Sequence, residues 1–143
     1  MDRRPGRPVF SFFPEYADLN TPDKARIDLR HLLTMSAGFA WNEELPYSNP
    51  ANSERRMIDA PDPYRYVLEQ PIIRPPGAAY CYNGGLTALL AAILEKRSGS
   101  PLDALAREAL FEPLGIQDVE WGTLRRRHAQ RCVGTSHVPS RSC

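Results

Sequence analysis

The stretch that most constrains the fold runs from Arg74 to Glu95, where a proline-rich turn leads into an apolar helix. Pro75 and Pro76 fix the backbone φ angle and donate no backbone hydrogen bond, so they resist both helix and sheet. The residues that follow recur at helical spacing and predict a single apolar stripe, formed by Leu86, Leu89, Leu90, Ile93 and Leu94. We therefore expect a helix over 85–97 whose start meets a rigid turn.

Tyr82 lies between this turn and this helix and is followed by Asn83, Gly84 and Gly85. Glycine allows a ligand or a neighbouring group to approach the backbone closely. The spacing leaves two interpretations open. Tyr82 either presents its hydroxyl to a ligand or packs at the end of a core helix, as partly buried tyrosines commonly do.

Helical patterns also occur on both sides of this element. Asp28 can cap a helix over 28–36, which Gly38 can terminate. Pro63 suits the first turn of a helix over 63–69, and Ser100 followed by Pro101 is typical of the start of a helix over 101–110. Because no stretch keeps a period of two, we expect a mainly α fold with no more than two well-paired strands.

Composition excludes several classes of protein. The 143 residues contain 42% hydrophobic residues, which is ordinary for one globular domain, and no apolar run is long enough to span a membrane. The first residues have no apolar core after their charges, so no secretion signal is predicted and a cytoplasmic location is the default expectation. The three cysteines, at positions 81, 132 and 143, lack the spacing of metal ligands.

The composition changes after Thr123. Residues 125–143 contain five arginines, two histidines and no acidic residue. We therefore predict a domain over 1–124 and a basic, disordered tail over 125–143. A nucleic-acid-binding arm is an alternative, but no aromatic residue of the tail could stack on a base, so we expect no nucleic-acid partner.

Three segments resemble the class C β-lactamase-like serine hydrolases, which include penicillin-binding proteins, D-aminopeptidases and esterases. Residues 74–95 resemble the family's proline-glycine and tyrosine-x-asparagine block, residues 27–39 its R-H-L-L-T block, and residues 111–121 its F-x-P-L-G block. The resemblance implies the helical portion of an α+β fold, in incomplete form. Beyond Trp121 the resemblance does not continue in the sequence as written. It continues when the tail is back-translated with one possible choice of codons and read one frame over, so we expect the tail to be frameshifted.

The resemblance also implies the functional residues. It identifies Tyr82 with the family's catalytic tyrosine, and we predict that Asn83 and Gly84 bind substrate. Gly84 stands where the family usually has asparagine, and Asn83 lies one residue earlier. For His31 we expect a structural role. The family implies ester, amide or β-lactam substrates and no metal or organic cofactor.

The family's mechanism further uses a serine and a lysine in S-x-x-K and a later K-T-G or H-x-G segment. Lys24 and Lys96 are preceded at this spacing by Thr21 and Ile93, and neither later segment occurs. We therefore expect a fragment of a hydrolase that is inactive alone. The alternative is a non-catalytic binding module on the same helical scaffold. Missing flanks also predict self-association through exposed apolar side chains, including parts of Phe10, Phe12 and Phe13.

Overall fold

The computed structural model describes residues 6–126 and 129–132, with side chains as far as Gly122. Within these residues the chain begins with three short 3₁₀ helices, Val9–Phe12, Pro14–Leu19 and Lys24–Arg26. The α-helices that follow are α1 (Leu29–Leu33), α2 (Ser53–Asp59), α3 (Pro63–Glu69), α4 (Gly84–Ser98) and α5 (Leu102–Ala106). A π-helical turn, Arg107–Phe111, continues α5. The expected mainly α fold is confirmed.

Side-chain caps explain where most of these helices begin. Asn52, Asp62 and Asn83 each accept a hydrogen bond from the backbone amide three residues later, at the start of α2, α3 and α4. Such a bond satisfies one of the amides that a helix N-terminus leaves without a partner. At the other end of α4, Gly99 takes the left-handed conformation, with φ of 72°, and its amide donates to the carbonyl of Glu95.

Helix α4 forms the centre of the fold, since α1, α2, α3 and α5 all contact it. Its buried positions therefore extend around the helix instead of forming the single predicted stripe. Ala88 and Ala92 are buried, whereas Leu94, which the stripe included, is 49% exposed. A helix that is enclosed by neighbours on several sides is apolar on several sides.

The N-terminal aromatic segment packs into the same core. Phe10 and Phe13 are buried and Phe12 is partly buried against the core, so the expectation that Phe10 and Phe13 would be exposed is wrong. Lys96 of α4 fastens the segment: its ammonium group donates to the Phe12 carbonyl at 2.9 Å and to the Glu15 carboxylate, and lies 4.5 Å from the centre of the Phe13 ring. A cation above an aromatic face is attracted by the ring quadrupole.

Two short strands, β1 (Thr123–Arg126) and β2 (Ala129–Cys132), pair as an antiparallel hairpin with Thr123 opposite Cys132. They lie where the sequence shows no strand pattern and mostly inside the predicted tail. Residues 127, 128 and 133–143 lie outside the described residues, so the boundary at 124, the disorder and the frameshift remain predictions. Among the described helices, none combines the length and apolar character needed to cross a membrane.

Candidate functional site

The turn that leads to Tyr82 is held by the loop that follows α1. The amide of Gly77 donates to the Ser36 carbonyl and the amide of Cys81 donates to the Met35 carbonyl, both at 2.8 Å. Met35 has a φ of 52°, a left-handed conformation that costs a non-glycine residue about 1–2 kcal/mol. The surrounding hydrogen bonds keep Met35 in this conformation, and its carbonyl fixes the residue that directly precedes Tyr82.

His31 links α1 to the same turn. Its backbone amide donates to the Asp28 carboxylate and its Nδ1 accepts from the Asp28 amide, each at 3.1 Å, which forms a capping box. Gly77, with φ of 86°, lies against the imidazole, because a Cβ at position 77 would be 3.2 Å from His31 Nε2. His31 therefore caps α1 and packs on the proline-rich turn, in agreement with the structural role expected for it.

The three residues predicted for the site lie together at the start of α4, but their side chains differ in what they can reach. Tyr82 is 44% exposed, so a large part of this residue is open to solvent. Asn83 is 3% exposed, and its Oδ1 accepts the Leu86 amide at 3.3 Å as the N-cap of α4. Gly84 contributes its amide, which donates to Glu43 Oε1 at 2.6 Å. The catalytic role of Tyr82 and the substrate-binding roles of Asn83 and Gly84 remain predictions.

Two carboxyl groups that the sequence analysis did not single out also lie at the start of α4. Glu43 Oε1 accepts from Trp41 Nε1 at 2.5 Å in addition to the Gly84 amide. A Cβ at position 84 would lie 2.8 Å from Glu43 Oε1 and 3.1 Å from Glu54 Oε1. A side chain at position 84 would therefore require these carboxyl groups to move from their present positions. Glu43 is 41 positions away from Gly84 in a polar loop without periodicity, so no local sequence signal could have identified this contact.

The charges around Tyr82 favour its neutral phenol. Partial burial, followed by the negative charges of Glu43 and Glu54, raises the pKa of Tyr82. Burial raises the pKa of Glu43 as well, although the hydrogen bonds from Trp41 and Gly84 oppose this change. For Tyr47, burial and its hydrogen bond to Glu54 raise the pKa. A phenol with a raised pKa stays protonated near neutral pH, so it can donate a hydrogen bond, but it is a weaker acid than an ordinary tyrosine and little phenolate is present to act as a base.

Both lysines of the chain are bonded away from Tyr82. The ammonium group of Lys24 is buried and donates to the Leu68 carbonyl at 2.5 Å, and burial lowers the pKa of Lys24. Lys96 holds the N-terminal segment against α4, as described above. A separate groove of about 250 Å³ is lined by Asp23, Arg26 and residues 72–76 and does not include Tyr82.

Comparison with known proteins agrees with this architecture. The family model named Beta-lactamase matches residues 4–138. A curated relative, the lovastatin esterase of Penicillium rubens, is 27% identical over 123 residues, an alignment that covers 80% of this chain and 29% of the esterase. The chain thus spans less than a third of the length of this relative. Because the family model covers nearly all of the 143 residues, the chain belongs to the beta-lactamase family of serine hydrolases.

Proposed function

We propose that the chain forms the tyrosine-bearing helical part of a serine hydrolase that cleaves esters, amides or β-lactams through an acyl-enzyme. The half-exposed phenol of Tyr82 at the start of α4 is the observation that carries this proposal. Family membership supports the reaction class, and the name of the Penicillium rubens relative favours esters among the three substrates.

In this reaction a serine oxygen bonds to the acyl carbon while the bond from that carbon to the leaving oxygen or nitrogen breaks. The serine hydroxyl loses its proton in this step and the leaving group gains one, so a neutral phenol beside the leaving group can supply that proton and be reprotonated by the one that serine releases. The nearby carboxyl groups of Glu43 and Glu54 favour the neutral phenol, so we assign proton donation to Tyr82. We further propose that the serine and its lysine come from sequence beyond these 143 residues, because no S-x-x-K occurs within them.

The 143-residue chain should then be inactive by itself, because the groups of a catalytic unit act together and not additively. Nitrocefin and p-nitrophenyl esters test turnover, and a fluorophosphonate probe followed by mass spectrometry tests for a reactive serine. We expect rates equal to those of a denatured control and no labelled serine. A labelled serine, or turnover that Tyr82→Phe leaves intact, would contradict the proposal.

Sequencing the gene with its flanks tests the other half of the proposal. An in-frame S-x-x-K upstream and a K-T-G or H-x-G segment downstream would support it, and the absence of both would contradict it. In a longer form with measurable esterase activity, Tyr82→Phe should lower kcat strongly.

A non-catalytic binding module is the second candidate, and the closed core favours it. The buried cluster includes Phe10 and Phe13, which the fragment hypothesis expected to be exposed. A binding module should be a monomer that unfolds in one cooperative transition, whereas a fragment should associate or unfold without cooperativity. Sedimentation combined with urea unfolding of the chain distinguishes the two candidates.

A further inference from the structure

The start of α4 has a second side-chain hydrogen bond in addition to its N-cap. Asn83 already caps the helix by accepting the Leu86 amide. Glu43, in the loop that precedes α2 in the sequence, accepts the Gly84 amide as well. The same carboxylate oxygen receives the indole N–H of Trp41. One partly buried carboxylate oxygen thus joins the 41–43 segment to the first residue of α4, two positions after Tyr82.

We propose that Glu43 is a positioning residue for Tyr82: its carboxylate bonds the 41–43 segment to the first amide of α4, two residues after Tyr82. This inference rests on the proposed role of Tyr82, because a residue that positions a side chain matters only where that side chain acts. Glu43 needs no contact with substrate for this role.

Gly84, which has no side chain, supports this role of Glu43. A Cβ there would come within 2.8 Å of Glu43 Oε1, a distance that Cβ contacts do not show, and within 3.1 Å of Glu54 Oε1. Gly85 is similarly enclosed, since a Cβ at that position would lie 2.7 Å from Val67 Cγ2 and 2.9 Å from the Trp41 ring. The two glycines therefore allow the carboxyl groups and Trp41 to approach the backbone next to Tyr82.

The ionisable groups that face Tyr82 come from three parts of the fold. Glu43 comes from the 41–43 segment, Glu54 from α2 and Tyr80 from the turn itself, and all three favour the neutral phenol. Tyr47 bonds to Glu54, and the Arg55 guanidinium acts on Tyr47 with the opposite sign. Removal of the Glu43 charge should therefore shift the titration of Tyr82 to lower pH.

The experiment measures that titration by NMR on the full chain with ring-labelled tyrosine. The Tyr82 signal is assigned as the one that disappears in Tyr82→Phe. In Glu43→Gln, which keeps the shape of the side chain, we expect Tyr82 to titrate at lower pH and the Gly84 amide to exchange faster with solvent. Glu44→Gln is the matched control: it makes the same change of charge one residue away on an exposed side chain, and we expect neither effect.

An unchanged Tyr82 titration together with unchanged Gly84 exchange in Glu43→Gln would overturn the proposal. Equal shifts in Glu43→Gln and Glu44→Gln would also overturn it, because they would reflect net charge and not position. If Glu43→Gln fails to fold, Glu43→Asp keeps the charge but shortens the side chain that reaches the Gly84 amide, and unchanged Gly84 exchange in that variant would contradict the proposal. Neither readout needs turnover, so a failure of the proposed hydrolase function would leave this result interpretable.

Discussion

The phenol of Tyr16 donates to both oxygens of the Asp62 carboxylate, at 3.0 and 2.7 Å, while the same carboxylate caps α3 by accepting the Arg65 amide. The Asp62 side chain thus accepts an amide in the first turn of α3 and also binds the N-terminal segment, 46 residues earlier in the chain. Tyr16 is 5% exposed, so water has little access to replace its phenol as the donor. This bond joins the N-terminal aromatic segment to the helical core.

Tyr16→Phe should therefore destabilise the fold. The substitution keeps the ring and removes only the hydroxyl, and a hydrogen bond to a charged group contributes about 1.5–3 kcal/mol. We expect the free energy of unfolding in urea to fall by about 2 kcal/mol. Tyr80→Phe is the control, because Tyr80 is 60% exposed and should lose almost nothing. Equal unfolding midpoints for Tyr16→Phe and the parent chain would refute this role of Tyr16.

The glycine at position 38 provides a sharper test of packing. Gly38 has a φ of 85°, and a Cβ there would lie 2.1 Å from the carbonyl oxygen of Arg74. Gly99 has a similar φ of 72°, but a Cβ there would meet no atom within 4 Å. Gly99→Ala should cost about 1–2 kcal/mol, the strain of the left-handed conformation alone. Gly38→Ala adds the clash and should cost about 3 kcal/mol or more.

Urea unfolding of the two alanine variants separates the cost of backbone strain, which both share, from the cost of the steric clash, which only Gly38→Ala has. A larger loss in Gly38→Ala than in Gly99→Ala is the expected result. The difference should also appear in local structure, because the clash pushes the proline-rich turn away from the loop after α1. If both variants lost the same free energy of unfolding, the proline-rich turn could move away from the added Cβ at little cost. The turn would then not hold Tyr82 rigidly.

Helix boundaries could be predicted from the sequence where the deciding signals are local. Caps and prolines placed α3 at 63–69 as observed, and α4 within one residue at each end. The helix predicted over 28–36 is shorter, Leu29–Leu33, because Met35 takes the left-handed conformation, in which its carbonyl accepts the Cys81 amide of the turn before Tyr82. The spacing of apolar residues does not report this contact between distant segments, so the early end of the helix could not be predicted.

Contacts between distant segments could not be predicted. The bond from Gly84 to Glu43 joins a helix start to a polar loop without a pattern. The ring of Phe13 packs beneath Lys96, which is 83 positions further along the chain. The family resemblance identified Tyr82 as the candidate because the motif is contiguous. It could not identify Glu43, because the quoted motifs contain no residue from that loop.

The exposed apolar residues near the C-terminal end of the described side chains predict self-association. Leu110, Leu114 and Ile116 are 51%, 64% and 44% exposed, and the Leu114 amide bonds to the Leu110 carbonyl. Clustered apolar side chains of this kind favour association. We expect oligomers in sedimentation velocity, and we expect Leu110→Glu combined with Leu114→Glu to shift the chain toward monomer. Leu33→Glu, at a 69% exposed position on α1, is the control and should leave association unchanged.

Glu43 should also make stability depend on pH in a defined direction. Burial raises its pKa above the ordinary value of 4.5, so the folded chain holds this proton more tightly than the unfolded chain. The stabilisation from protonated Glu43 is therefore complete below the unfolded pKa and is lost as the pH rises through the folded pKa. Glu43→Gln removes this titration. We expect the stability of the parent relative to Glu43→Gln to decline as the pH rises above about 4.5 and through the higher folded-state pKa of Glu43.

Urea unfolding of the parent, Glu43→Gln and Glu44→Gln across this pH range measures the effect. The difference between parent and Glu43→Gln isolates one group, because the other carboxyl groups titrate in both proteins and largely cancel. Glu44→Gln, at an exposed position, is the control for the loss of one negative charge in the same loop. A difference for Glu43→Gln that grows with pH would mean that the bonds from Trp41 and Gly84 outweigh burial, and that the carboxylate is the form which the fold prefers.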